Sequence, residues 1–93
     1  MNYLETAIIK EVKKIVPSFE KLELRATISD RSYSVEFFTT VRGKKLQCYE
    51  MADNGQIDED ELEAVLQEIA KVLRTSPTYK SGSPNKFSFT IED

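Results

Sequence analysis

The spacing of hydrophobic residues along this chain alternates between a helical and an extended period. Leu4, Ile8, Val12 and Ile15 recur every three or four residues, with Ala7 and Ile9 beside them, which predicts a helix over 2–16. Lys10, Lys13 and Lys14 gather toward its end, where cations suit the helix dipole, and Pro17 disfavours helical geometry at Val16. From Lys21 the period becomes two. Leu22, Leu24, Ala26 and Ile28 alternate with Lys21, Glu23, Arg25 and Thr27, the pattern of a strand with one buried and one wet face. Ser29-Asp30-Arg31-Ser32 is a short polar turn. A second strand then sets Tyr33, Val35, Phe37 and Val41 against Ser34, Glu36, Phe38 and Thr40. Arg42-Gly43-Lys44 makes the next turn and a third strand is expected over 45–50, completing an antiparallel meander.

The helical period then returns. Asp58 with Glu61 three residues on has the look of a capping box, and Leu62, Val65, Leu66, Ile69, Val72 and Leu73 form a stripe to about Arg74. Residues 75–84, reading TSPTYKSGSP, are turn formers and predict a mobile loop. Phe87, Phe89 and Ile91 alternate with Lys86, Ser88 and Thr90 in a fourth strand. The expected architecture is therefore α+β: one domain over 1–93, running helix, three-stranded meander, helix, strand, with both helices on one face of a four-stranded sheet. The other face, with Glu23, Arg25, Thr27, Glu36, Phe38 and Thr40, is left to solvent or a partner.

Length and composition narrow the function. Ninety-three residues hold one modest core, and nine aromatics argue against disorder despite 31% charged residues. Histidine is absent, which removes the commonest general base and metal ligand together. The lone Cys48 makes neither an internal disulfide nor a zinc site. Alternating with Leu46, it reads as a small core residue rather than a nucleophile. With three glycines and no phosphate loop among them, recognition is a better expectation than catalysis, and no cofactor, metal or small-molecule ligand is expected. No apolar run approaches a membrane span, no signal-peptide block stands at the N-terminus, and the single cysteine suits a reducing cytoplasm.

Charge is distributed unevenly. Residues 1–49 balance to +3, residues 50–70 to −8 with no base at all, and residues 71–93 to +2, giving the net −3. Direct nucleic-acid binding normally needs the opposite sign. The acids of 50–70 have an ordinary reading, as helix N-terminal charges on a solvated face, and a sharper one, as a docking surface for a basic partner. Both hold together if Asp58 caps the helix while Glu59, Asp60 and Glu63 point outward, and Glu50, Asp53, Glu59, Asp60 and Glu63 are the candidates for contact with a basic partner. Phe38 and Tyr49 join them as interface candidates, unless a loop or helix covers them. A calcium loop is the remaining alternative. Glu50, Ala52, Asn54, Gly55, Ile57, Asp58 and Glu61 fall on EF-hand positions one, three, five, six, eight, nine and twelve, but Ala52 offers no ligand.

The stretches IVPSFEKLELRATISDRSYSVEFF and DEDELEAVLQEIAKVL resemble the YezG-like immunity proteins of bacterial toxin–immunity pairs, a group that includes contact-dependent growth inhibition immunity proteins. Pro17, Phe19, Lys21, Ser34, Val35, Phe37 and Phe38 carry the likeness across most of residues 5–74, and 85–91 resembles the family's later aromatic strand. The chain departs from the pattern at Phe19, where relatives often have tryptophan. The resemblance implies a cytoplasmic antidote that binds a cognate toxin C-terminal domain, commonly a nuclease, and occludes its active site or substrate groove. An acidic interaction adaptor without a toxin partner is the competing expectation.

Overall fold

A computed structural model describes residues 2–92. Helix α1 spans Tyr3–Val12, strands β1, β2 and β3 span Lys21–Ile28, Tyr33–Val41 and Lys44–Gln47, helices α2 and α3 span Cys48–Asp53 and Glu59–Leu73, and β4 spans Asn85–Glu92. All strand pairs are antiparallel in the order β3-β2-β1-β4, so the expected meander is present and the C-terminal strand lies beside β1. The α+β reading thus holds, with one more helix than the hydrophobic spacing announced.

Each helix begins where local chemistry satisfies its free amides. The Asn2 side chain accepts from the Glu5 N–H while the Glu5 carboxylate accepts from the Asn2 N–H, a reciprocal cap on α1. At α3 Asp58 accepts from the Glu61 N–H, which is the Asp58 half of the expected capping box. Helix α1 stops at Val12, four residues short of expectation. Pro17 disfavours helical geometry at Val16, and residues 14–16 close in turns onto the Glu11 and Val12 carbonyls instead of continuing the helix.

The third strand is also shorter than 45–50 because Gln47 is itself a cap. Its side-chain oxygen accepts from the N–H groups of Tyr49 and Glu50 and starts α2 there. Cys48 is therefore the first residue of a helix, yet fully buried, and burial raises its thiol pKa, in keeping with a core role.

The core lies between the sheet and the helices. Leu22, Leu24, Ala26 and Ile28 of β1 and Val35 and Phe37 of β2 meet Ile8 and Val12 of α1 and Leu62, Val65, Leu66, Ile69 and Leu73 of α3. The Glu20 N–H bonds the Thr40 carbonyl. Val41 keeps the same face of the sheet as Thr39, as expected, but is 39% exposed, since it pairs with Lys44 at the hairpin tip. The buried position before it is Thr39, whose hydroxyl meets the Met51 sulfur at 4.0 Å.

Residues 75–84, expected to be mobile, are tied to the β1–β2 turn. The Asp30 carboxylate accepts from the Tyr79 hydroxyl at 2.6 Å, the Ser81 hydroxyl at 3.0 Å and the Gly82 N–H at 2.9 Å. Asn85 bonds both the N–H and the carbonyl of Lys80. Arg74, just past α3, donates to the carbonyls of Ser29 and Ser32 on the same turn.

Two outcomes follow. Phe37→Ala, at a fully buried position, should cost about 3–5 kcal/mol in urea unfolding, whereas Val41→Ala should stay within about 0.5 kcal/mol of wild type. The Tyr79 hydroxyl, and after it the Gly82 N–H, hold the Asp30 carboxyl below its ordinary 3.8. The anchor is therefore complete above that value and is lost as pH falls through the lowered one. In an NMR titration the Gly82 amide shift should move with a midpoint below 3.8, and Asp30→Asn should abolish that transition.

Candidate interaction surface

The acidic candidates occupy two adjoining elements. Glu50 and Asp53 lie on α2, and Glu59, Asp60 and Glu63 lie in the first turns of α3; all five are exposed. Helices α2 and α3 are in contact. Among the described residues the ion pairs are Lys14–Glu11, Lys21–Glu23, Lys45–Glu23 and Lys71–Glu68, so none of these five carboxylates meets a cation of its own chain. Asp58 is used internally as the α3 cap, and Glu68 is paired with Lys71 at 3.2 Å.

Glu63 has a second contact that its spacing did not reveal. Its carboxylate accepts from the Tyr33 hydroxyl at 3.1 Å, although Tyr33 stands on the core-facing side of β2. Burial, and after it the hydrogen bond to Glu63, pushes the Tyr33 hydroxyl up. The same carboxylate is near enough to Tyr49 to add to the rise that burial causes there. Tyr33, Tyr49 and Glu63 thus share one flank of the domain.

Tyr49 lies on α2, not at the end of a strand as expected, because the Gln47 cap turns the chain into a helix one residue earlier. Strand β3 pairs only with the Phe38–Val41 half of β2. The other half has an open edge, and there the Tyr49 hydroxyl donates to the Val35 carbonyl at 2.7 Å. An edge carbonyl is thereby satisfied by a side chain where no strand continues. Tyr49 remains 43% exposed.

Phe38 is on the opposite side of the sheet from the helices and does not join the acids. Lys45 Nζ lies 4.8 Å from its ring centroid and 2.6 Å from Glu23 Oε2, while Lys21 approaches Glu23 at 3.2 Å. Phe38 and Tyr49 reach the outer face from different elements. Tyr49 lines a cavity of about 560 Å3 with Arg25, Thr27, Ser34, Glu36 and Lys86. Phe38 lines another of about 240 Å3 with Glu23, Lys45 and Thr90. Alternation already placed Arg25, Thr27 and Glu36 on this face. The contribution of Lys86 depends on β4 lying beside β1, which no local spacing encodes.

The EF-hand alignment does not form a binding loop. Glu50 and Ala52, its first and third positions, are inside α2, and the turn at Gly55, with φ +81°, simply joins two helices. Among the described residues no three His, Cys, Asp or Glu side chains are grouped to hold a metal ion, and no helix is long and apolar enough to cross a membrane. Comparison with family models, curated proteins and solved structures gave no match to this chain.

The Tyr49 contact is open to direct measurement. Tyr49→Phe keeps the ring and removes the bond to the Val35 carbonyl. Stability in urea should fall by about 0.5–1.5 kcal/mol with an unchanged m-value.

Proposed function

We propose that this chain is an immunity protein that binds a basic bacterial toxin domain, a nuclease being the best fit, and occludes its substrate groove. The observation that carries the reading is the set of exposed carboxylates of Glu50, Asp53, Glu59, Asp60 and Glu63, none paired with a cation of its own chain. A nuclease groove presents positive charge to phosphates, and a rigid array of carboxylates competes for the same groove. Because these acids are carried on capped helices, they are held in place before the partner arrives, which lowers the ordering cost of binding. The likeness of residues 5–74 to YezG-like immunity proteins supports the same class of partner. Tyr49 and Tyr33, on the flank of Glu63, supply aromatic contact area beside the charges. The mechanism is steric block with electrostatic steering and needs no chemistry from the chain, and a cytoplasmic site of action goes with it.

The test is co-expression with the product of the gene immediately upstream. Co-purification, with growth arrest when this chain is omitted, is the expected result; a harmless neighbour that forms no complex would leave an acidic adaptor as the function. The quintuple variant E50Q/D53N/E59Q/D60N/E63Q preserves side-chain size. Its association rate with the toxin domain at low salt should fall by about tenfold or more, with an unchanged circular dichroism spectrum. A wild-type rate that ignores ionic strength would remove the electrostatic part of the proposal.

A further inference from the structure

β4 ends the sheet: among the described residues it is hydrogen-bonded to β1 alone. The direction of its backbone groups follows from the opposite side of the sheet. The Val35 carbonyl accepts from Tyr49 and so points away from β1; its neighbours Ser34 and Glu36 therefore face β1 and bond to Thr27 and Arg25. Leu24, Ala26 and Ile28 then face β4, in agreement with the Ile28 carbonyl, which accepts from Asn85 Nδ2 at 3.4 Å. Their partners Phe89, Phe87 and Asn85 face back to β1. Lys86, Ser88, Thr90 and Glu92 consequently aim their N–H and carbonyl groups outward along a straight edge with no bulge in its register.

We propose that two copies of this chain pair antiparallel along β4, extending the four-stranded sheet into an eight-stranded one. The side chains select a single register. Cross-strand neighbours must share a sheet face, which excludes every offset that sets an even position against an odd one. With Phe89 opposite the partner's Phe89, Lys86 stands opposite the partner's Glu92, Ser88 opposite Thr90, and Phe87 opposite Ile91. Charge meets opposite charge on the wet face and aromatic meets apolar on the inner face. Shifting by one allowed step puts Ser88 or Thr90 opposite itself and leaves Lys86 and Glu92 without each other. The chosen register uses all four outward-facing residues, so four pairs each exchange two backbone hydrogen bonds.

The inner face gives a second reason. Phe87 and Phe89 stack with ring centroids 6.4 Å apart and planes 6° from parallel; they pack against the core but are only partly buried, whereas their β1 partners Ala26 and Leu24 are buried. A partner strand bringing its own Phe89 and Ile91 covers these rings. A single strand edge is a small interface, so reversible, concentration-dependent association is expected rather than an obligate dimer.

Sedimentation velocity over a series rising to millimolar protein measures this directly. Wild type should shift from monomer to dimer. K86E and E92K should each weaken the dimer by about tenfold, because two symmetry-related pairs become repulsive at once, and K86E/E92K should restore it by exchanging the pair. S88P removes an outward N–H that β1 does not use, so it should abolish dimerisation and leave the fold unchanged. In hydrogen exchange the amides of Lys86, Ser88 and Thr90 should gain protection with concentration, while those of Phe87 and Phe89 stay protected throughout. A chain that stays monomeric at millimolar concentration overturns the proposal and leaves the edge to a strand of another protein. A dimer indifferent to both S88P and K86E overturns it in favour of a different surface. Neither result bears on the acidic surface, since none of its residues is altered.

Discussion

The fold depends on β1 being paired along its whole length on both sides. Its eight residues each have a partner in β2 and another in β4. Its inner side chains Leu22, Leu24, Ala26 and Ile28 are between 0% and 6% exposed. A strand so enclosed has no tolerance for slippage, because a one-residue shift would send four apolar side chains to the outer face and Arg25 and Glu23 into the core. One of its two neighbours is made locally, through a four-residue turn. The other comes from the far end of the chain, with α2 and α3 lying between β3 and β4 in sequence. The Asp30 carboxylate links the two neighbours. It sits in the local turn and receives the Tyr79, Ser81 and Gly82 donors of the segment that leads into β4.

What could be read in the sequence divides along the same line between local and distant. The strands β1 and β2, the helix α3 and its Asp58 cap follow from periodicity and a three-residue spacing, both of which are local. Helix α2 was not legible because its start is set by Gln47, a residue outside the usual capping set, within a segment whose Leu46 and Cys48 alternate like a strand. Val41 lies on the face that alternation gave it but is left partly uncovered, because it stands at the β2–β3 hairpin tip, a position the alternation alone does not mark. The anchoring of 75–84 was invisible for a related reason: its composition is that of a free loop, and its ties run to a residue some fifty positions earlier. Of the candidate surface, Glu59, Asp60 and Glu63 lie on α3 as expected, whereas Glu50 and Asp53, expected at a strand end and in a loop, lie on α2; all five are exposed. The pairing of Glu63 with Tyr33 was hidden because strand alternation assigned Tyr33 to the core.

The same segregation bears on charge. A protein that only needed solubility could scatter its sixteen acids among thirteen bases. Here the bases of β1 and β3 are partly consumed on the outer face, where Lys21 and Lys45 both bind Glu23 and hold its pKa down, Lys45 contributing most. Glu50, Asp53, Glu59, Asp60 and Glu63 have no such partners. For Glu50, Glu59 and Asp60, which stand in first helical turns, the backbone dipole offsets part of the mutual repulsion, while Asp53 closes α2 and has no such help. A surface kept uncompensated in this way retains its field for an encounter with an opposite charge.

The order β3-β2-β1-β4 settles how the two surfaces relate. Helix α2 packs on β2 and β3, at one margin of the sheet, and the β4 edge is the other margin. Pairing two copies through β4 therefore carries their α2 helices to the far ends of the extended sheet. Two basic partners binding at those ends would meet neither each other nor the Lys86–Glu92 pairs at the centre. Each chain's acidic flank keeps its own field, since at physiological salt charges farther apart than about 8 Å are largely screened from one another. Dimerisation through β4 and the proposed occlusion of a toxin groove are thus compatible in the same molecule: α2 lies at the opposite margin, and α3, which carries the remaining acids, packs over β2 and β1 rather than forming part of the β4 edge.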